Sequence, residues 1–555
     1  MSEKFLQGLD DEQRVAAQAI RGPVAIIAGA GTGKTRTITS RIAFAISSGV
    51  TDPSHTLALT YTTRAAAELR LRLAMFGFTG VQAHTFHSAA WRQLQYFWSE
   101  AIGGKPFRIL SNKAEIISSS LASVGRGNAP INFREISSEI EWAKGLEIAH
   151  EDYARIAQEK GRVPISGFSH QDFAQVYEVY ENLKQENRQL DFEDILLLMV
   201  GLLEEQNSLV DRVRAQYRFF TVDEYQDISP LQQRLLNLWL GKRQEICVVG
   251  DPDQSIFSFS GSTNKYLLEF PKRFPSAQVF KLNINYRSSS EIIHTANKVM
   301  KRELFAVRGS NGIKVRLSHY KDEENEKSKI VEKIKLLIQS GIDSREIAIL
   351  CRRNDYLHNF ADILTSAGVP VNLVGPGQSQ RAFFYDGKVK EAIRLLRGAA
   401  IAKDPDSANV DLSAQVIAVL SGLDWHPDRA RGDDQRLRLL EFTYDFQERI
   451  PNANLRDLIT EIDEREKSNI EPEALGVVLS SIHSAKGLEW KYVFMPFLRE
   501  GVLPISHTLS SPELIEEELR LFYVGITRAK DSLQLSYSGS DSSQFLRLLP
   551  ALDRD

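Results

Sequence analysis

Val24-Ala-Ile-Ile-Ala-Gly-Ala-Gly-Thr-Gly-Lys-Thr35 joins an apolar strand, Val24 to Ala28, to a glycine-rich turn and then to a helix with Ile38, Ile42 and Ile46 on one face. The order strand, Ala28-Gly-Ala-Gly-Thr-Gly-Lys-Thr35 and helix is that of a P-loop. Gly29, Gly31 and Gly33, with Ala30 and Thr32 between them, let backbone N–H groups curl around phosphate oxygens. Lys34 reaches the β- and γ-phosphates, Thr35 offers a hydroxyl to Mg²⁺, and the helix N-terminus adds partial positive charge. Ala28 stands where the pattern has glycine, which is tolerated while that residue keeps a negative φ. The remaining motifs are read as answers to what this phosphate site serves.

Five hundred and fifty-five residues are too many for one core and suggest three or four domains. A hydrophobic share of 43% with 25% charged residues describes an ordinary globular chain. The net charge of −4 does not announce nucleic acid, but a groove can be basic on an acidic protein. Two cysteines, Cys247 and Cys351, exclude a disulfide framework, a zinc ribbon and an iron–sulfur cluster, and each sits in an apolar run. The opening residues do not read as a signal peptide and no apolar stretch reaches about 18 residues, so a cytoplasmic location without a membrane is expected.

In chain order, Leu9-Asp-Asp-Glu-Gln13 opens a helix from which the Gln13 carboxamide can read a purine edge. His55 to Thr60 reads as a second strand and Thr63 to Leu73 as a helix, with Thr60-Tyr-Thr-Thr-Arg64 between them. Ala83-His-Thr-Phe-His-Ser88 ends a third strand. Such strand ends are where an open α/β sheet presents its ligand crevice. From about 91 to 187 the pattern turns helical, too long for a simple crossover, and is read as an insertion.

Tyr217 to Val222, followed by Asp223-Glu-Tyr-Gln-Asp227, is a Walker B arrangement. Asp223 binds Mg²⁺, directly or through water, and Glu224 orients and deprotonates the attacking water. Ile246 to Val249 leads into Gly250-Asp-Pro-Asp-Gln254 and Ser255-Ile-Phe-Ser-Phe259, which set Gln254 as a γ-phosphate sensor beside Phe257 and Phe259. A second α/β lobe starts near Phe280, with Tyr286 and Arg287 at a strand end before the helix Glu291 to Met300. Further strands are read at Glu346–Leu350, Val369–Val374, Val477–Ile482 and Tyr492–Pro496. Lys321 to Glu326 reads as a solvated helix start, Glu516 to Lys530 as the last helix, and 379–470 as an interruption of helices and polar loops. Arg287 and Arg528 are candidate arginine fingers, which would make hydrolysis depend on lobe closure.

Taken in order, GAGTGKT, TYTTRAAAELR, HTFHS, DFEDIL, VDEYQD, VVGDPDQSIFSFSG, LNINYRS, SSIHSAKGLEW and LRLFYVGITRAK resemble the motor of UvrD/PcrA/Rep-type superfamily 1 DNA helicases, from Asp10 to Leu549. The resemblance implies an α/β fold of two RecA-like P-loop NTPase lobes with parallel sheets, each interrupted by a mainly helical insertion. The expected boundaries are 1–88 and 187–280 for the first lobe, 89–186 for its insertion, 281–378 and 471–555 for the second lobe, and 379–470 for a reduced second insertion.

The resemblance also implies that Gln13 reads adenine, that Arg36 and Tyr286 hold the base, and that Lys34, Thr35, Asp223, Glu224, Gln254, Arg287, Glu489 and Arg528 form the ATP site. Tyr61, Thr62, Arg64, His84, Phe192, Phe257, Phe259, His483 and Phe545 would contact single-stranded DNA, where stacking on aromatics tolerates any sequence. Family members move 3′ to 5′ and unwind duplex, so ATP, Mg²⁺, single-stranded DNA and tailed duplex are the implied ligands. A protein loading partner is also implied, with action as a monomer or as a DNA-dependent oligomer in repair, recombination or replication restart.

The chain departs from the family pattern at Phe259-Ser260, where Trp-Arg is usual, at Thr63-Arg64 for Asn-Lys, and at Tyr61 for Phe. It lacks a Gly-Ile-Gly hairpin within 379–470. The reduced insertion at 379–470 keeps open a single-strand translocase that needs a partner to unwind. An ATP-gated DNA-binding subunit is a third reading, and a small-molecule kinase does not explain paired lobes with aromatics.

Overall fold

The computed structural model describes residues 2–110, 112–127, 132–165, 167–374, 382–402, 412–426, 435–449, 454–468, 476–509, 511–550 and 553–554. The chain divides into two compact units, Met1–Asn283 and Ile284–Asp555.

The first unit is built on a parallel sheet of six strands: β1 (Val24–Ala28), β2 (Thr56–Thr60), β3 (Gln82–Thr85), β4 (Phe219–Val222), β5 (Ile246–Gly250) and β6 (Gln278–Leu282). Their spatial order is β3-β2-β4-β5-β1-β6. Strands β1, β2, β4 and β5 are buried almost throughout because both faces are covered, whereas the edge strands β3 and β6 carry polar residues. Ala25, Leu57, Leu59, Val222 and Val248 enter one core with the helices Phe86–Ala101 and Phe192–Glu205. The alternate residues Val24, Ile26, Ala58, Cys247 and Val249 enter another with Ile38 and Ile42. Since every pairing in the sheet is parallel, all the strand carboxyl ends, and the motifs on them, lie along one edge.

Between Ala101 and β4, the helices Ala114–Ser123, Phe133–Gly145, His150–Glu159 and His170–Glu186 surround a separate core that includes Ile117, Ile140, Phe173 and Tyr180. A two-residue strand, Arg108–Ile109, pairs with Gln189–Leu190 and closes the base of this insertion, a pairing too short for the sequence pattern to announce.

The second unit carries a seven-stranded parallel sheet: β7 (Arg316–Tyr320), β8 (Ile347–Cys351), β9 (Val371–Val374), β10 (Val477–Ser481), β11 (Trp490–Met495), β12 (Ala529–Ser538) and β13 (Asp553–Arg554), in the order β9-β10-β8-β11-β12-β7-β13. The helix read as Glu516–Lys530 runs from Pro512 to Ile526, and Ala529 already starts β12. β12 alternates Leu533 and Leu535 inward with polar neighbours, a period of two that the helical reading passed over.

The acidic run at 321–326 also differs from its reading as a solvated helix start. The helix Glu323–Gln339 begins there, but Glu326 is buried and accepts hydrogen bonds from the Phe497 N–H at 2.9 Å and from Ser536 Oγ at 2.5 Å. Within 379–470, the helices Ala382–Tyr385, Gly387–Ala402, Leu412–Ser421, Gln435–Arg449 and Leu455–Ser468 gather around their own core, with Leu396, Val416, Leu439 and Leu458 at its centre.

Candidate nucleotide and nucleic-acid sites

At the end of β1 the chain turns through Gly31 at φ 68° and Gly33 at φ 78°, left-handed positions that glycine adopts without strain. Gly33 is the N-cap of the helix Lys34–Ser47, so the first N–H groups of that helix face the turn. Lys34 Nζ lies 3.5 Å from the Ala28 carbonyl. Thr32 Oγ1 donates to the Gly29 carbonyl at 2.9 Å, bracing the loop.

Gln13 meets this loop from the side. Its Nε2 donates to the Thr32 carbonyl at 2.9 Å and its Oε1 accepts the Asp10 N–H at 3.3 Å, within a capping box. A β-carbon at Gly33 would lie 2.6 Å from Gln13 Nε2, and one at Gly8 2.6 Å from Arg36 Nη2. Gln13 and Arg36 therefore border the P-loop, and Gln13 ties it down through the Thr32 carbonyl.

Asp223 ends β4 and is buried. Burial and the adjacent Glu224 push its carboxyl up to about 7, with Lys34 acting in the opposite sense. A buried carboxylate of this kind, with a threonine hydroxyl available on the P-loop helix, is a hard-oxygen donor set suited to Mg²⁺.

Glu224 takes φ 52° and ψ 40°, and its Oε2 accepts a hydrogen bond from Gln226 Nε2 at 2.5 Å. Gln226 is fully buried; its Oε1 accepts the Asp251 N–H at 3.0 Å, while Asp251 Oδ2 accepts from Gln254 Nε2 at 2.7 Å. The motif reading passed over Gln226 because it sits unremarked inside the quoted Asp223–Asp227 stretch. Its signal was a polar residue four positions beyond a buried strand end, between two acidic residues of the same stretch.

Exposed aromatics of the first unit include two groups at the predicted strand path. Tyr61, just beyond β2, stacks on Phe257 with ring centres 5.1 Å apart and planes 12° from parallel, and Phe259 meets Phe257 edge-on at 6.0 Å. Phe192, half exposed, stacks on His87 at 4.2 Å. Burial and Lys113 push His87 down to about 3, so its ring is neutral. Thr62 caps the helix Thr63–Met75 through the Ala65 N–H, and Arg64 projects from its exposed first turn. His84 Nε2 lies 3.3 Å from Gln82 Oε1, and burial with Arg92 and Arg70 pushes it down to about 4.

Phe192 owes its position to its flanking carboxylates. Asp191 and Asp194 form a capping box at the start of the helix Phe192–Glu205. Lys144 Nζ lies 2.7 Å from Asp191 and 2.5 Å from Asp194, and Lys184 Nζ lies 2.8 and 2.6 Å from the same two. Against the upward push of burial, these lysines hold Asp191 well below the usual carboxylate range. Glu181 brings a third carboxylate close enough to share an ion, but ammonium groups already fill that role.

In the second unit, Tyr286 is partly exposed and Arg287 pairs through Nε with Glu489, which also lies 3.1 Å from Lys530. Arg287 Nη1 donates to the Thr527 carbonyl at 3.1 Å. Burial raises Glu489, but Arg287 and Lys530 more than offset it and keep the carboxyl ionised. Arg528 is 2% exposed: Nε donates to the Val524 carbonyl at 3.0 Å and Nη1 to that of Leu488 at 3.2 Å. His483 follows β10, and burial with Arg352 and Lys486 pushes it down to about 3. Phe545 is buried and stacked on Phe522, so it presents no face to solvent.

A P-loop, a Walker B pair and a parallel sheet define the first unit as a P-loop NTPase, and a second parallel α/β unit follows it. Residues 9–275 match the UvrD/REP helicase N-terminal domain, and residues 280–417 and 437–540 the UvrD-like helicase C-terminal domain. The chain is similar to the ATP-dependent DNA helicase UvrD2 of Mycobacterium tuberculosis, 39% identical over 98% of this chain and 80% of the relative. It is also similar to the probable DNA helicase II homolog of Mycoplasma capricolum, 28% identical over 98% and 86%. The ATP-dependent DNA helicase PcrA of Bacillus subtilis is 27% identical over 97% and 83%. The chain belongs to the UvrD/Rep helicase family. No helix among the described residues is long and apolar enough to cross a membrane.

Proposed function

We propose that the protein is an ATP-dependent DNA helicase that moves 3′ to 5′ on single-stranded DNA and unwinds the duplex ahead of it, in repair, recombination or replication restart. One observation carries this reading. The segment after β5 bears Gln254, bonded to Asp251, which is tied through Gln226 to Glu224, and then Phe257 and Phe259 in the aromatic stack.

On this reading the P-loop N–H groups and Lys34 bind the phosphates. Thr35 and Asp223 hold Mg²⁺, which supplies charge neutralisation on the phosphate oxygens. Glu224 accepts the proton of the attacking water, Gln254 senses the γ-phosphate, and Gln13, Arg36 and Tyr286 bind the base. Arg287 stabilises the transferring phosphoryl group, which requires it to exchange Glu489 for phosphate. Arg528 does the same only after leaving the carbonyls of Val524 and Leu488. Tyr61, Phe257, Phe259 and Phe192 stack on bases, while Thr62, Arg64, His84 and His483 contact the strand.

A second reading, a single-strand translocase that unwinds only with a partner, is favoured by Phe259-Ser260 at the stack, where a smaller ring and no arginine weaken the coupling. The common core of both readings is tested by steady-state hydrolysis. Wild-type turnover rises on adding single-stranded DNA, and Lys34→Ala abolishes it while oligonucleotide binding persists; unchanged turnover in that variant would remove the nucleotide site from Lys34.

A further inference from the structure

Glu224 has three side-chain torsions and a left-handed backbone, so its carboxylate needs an outside group to fix where it points. Gln226 supplies one. Its Nε2 donates to Glu224 Oε2 at 2.5 Å and to Asp227 Oδ2 at 2.9 Å. The other end of the same carboxamide accepts the Asp251 N–H at 3.0 Å, and the Gln226 backbone carbonyl accepts from Ser255 Oγ at 3.1 Å. The fit leaves no slack: a β-carbon at Gly250 would stand 2.3 Å from Gln226 Oε1. Two residues beyond Ser255, Phe257 lies flat on Tyr61. A carboxamide is a rigid plane with a donor at one end and an acceptor at the other, so a shift of the 251–255 backbone at Oε1 turns Nε2 at Glu224.

We propose that Gln226 is a positioning residue through which a base entering the Tyr61–Phe257–Phe259 stack sets the orientation of Glu224, and so the rate of hydrolysis. The inference rests on the reading of Glu224 as the general base and of the aromatics as a DNA contact. Bases displace Phe257, the displacement passes along Ser255 and Asp251 to Gln226, and Glu224 is aimed or released accordingly.

The test uses the full chain with Gln226→Met, close in volume but unable to make either hydrogen bond, and Ser255→Ala, which removes the loop's tie to the Gln226 carbonyl. Turnover is measured with and without a dT oligonucleotide, alongside KM for ATP and oligonucleotide affinity by fluorescence anisotropy. Gln226→Met should lower DNA-stimulated kcat about tenfold or more, with KM and affinity within about threefold, a split that a general structural defect does not produce. Ser255→Ala should lower the ratio of stimulated to basal turnover, and it keeps the inference testable should Gln226→Met fail to fold. A ratio within about twofold of wild type in every variant that folds would overturn the inference, as would a kcat loss in Gln226→Met that leaves the ratio intact. Absence of DNA stimulation in the wild-type protein would overturn the functional reading itself and the inference with it.

Discussion

A carboxamide has two useful ends, and at Gln13 both are engaged: one closes a capping box with Asp10, the other ties down the Thr32 carbonyl of the P-loop. Reading a purine there means trading at least one of those bonds for a bond to the base, so base recognition and loop geometry share one side chain. Phe192 is simpler, since the half-exposed ring lies on a neutral His87 and offers its outer face to a base. Phe192→Ala should weaken binding of single-stranded DNA by about 1–3 kcal/mol while leaving the salt slope unchanged, because stacking neutralises no phosphate. An anisotropy titration at several salt concentrations checks both.

The residues legible in the sequence were those whose motif is local. Gly31 to Thr35 and Asp223-Glu224 announce themselves within a few positions. Gln226 did not, because a hydrogen-bond partner 25 residues away fixes what it does; Arg528 was legible as a candidate, but its burial against a carbonyl 40 residues away was not.

Among elements, the start of the helix Phe192–Glu205 shows how an insertion is joined to a sheet. Lys144 comes from the helix Phe133–Gly145 and Lys184 from His170–Glu186, and both converge on the Asp191–Asp194 capping box. Removing one carboxylate leaves two buried ammonium groups undercompensated, so Asp191→Asn should cost about 3–5 kcal/mol in urea unfolding.

The sign of the pH dependence follows from the depressed folded pKa of Asp191. Its contribution is complete above the unfolded carboxyl value of 3.8 and is lost as pH falls below that toward the folded value. The stability gap between wild type and variant should therefore narrow only in acid. This latch was not readable from sequence, since a lysine in an amphipathic helix looks the same whether it faces water or two aspartates. Glu326, in an acidic run yet buried under the Phe497 N–H, teaches the same lesson. Strands β1, β2, β4 and β5 were readable because sheets covered on both faces demand unbroken apolar runs. β12 was not, because it follows the last helix after only two residues and alternates with polar positions.

For the whole molecule, the motifs divide between the two units. The first holds the phosphate cradle, the Walker B pair and the aromatic stacks; the second holds Arg287 paired with Glu489, and Arg528 turned inward. Under the proposed function, Arg287 and Arg528 act only once released from these protein partners. The helices within 382–468 build a core of their own, so the second insertion is a folded element, although it lacks a Gly-Ile-Gly hairpin.

The measurement that tests the central claim most directly is unwinding by the purified full chain on duplexes carrying a 3′ or a 5′ single-stranded tail, with ATP and Mg²⁺. Opening of the 3′-tailed duplex alone, abolished by withholding ATP, is the predicted result. DNA-stimulated hydrolysis with neither duplex opened, or opening of the 5′-tailed duplex instead, would contradict it.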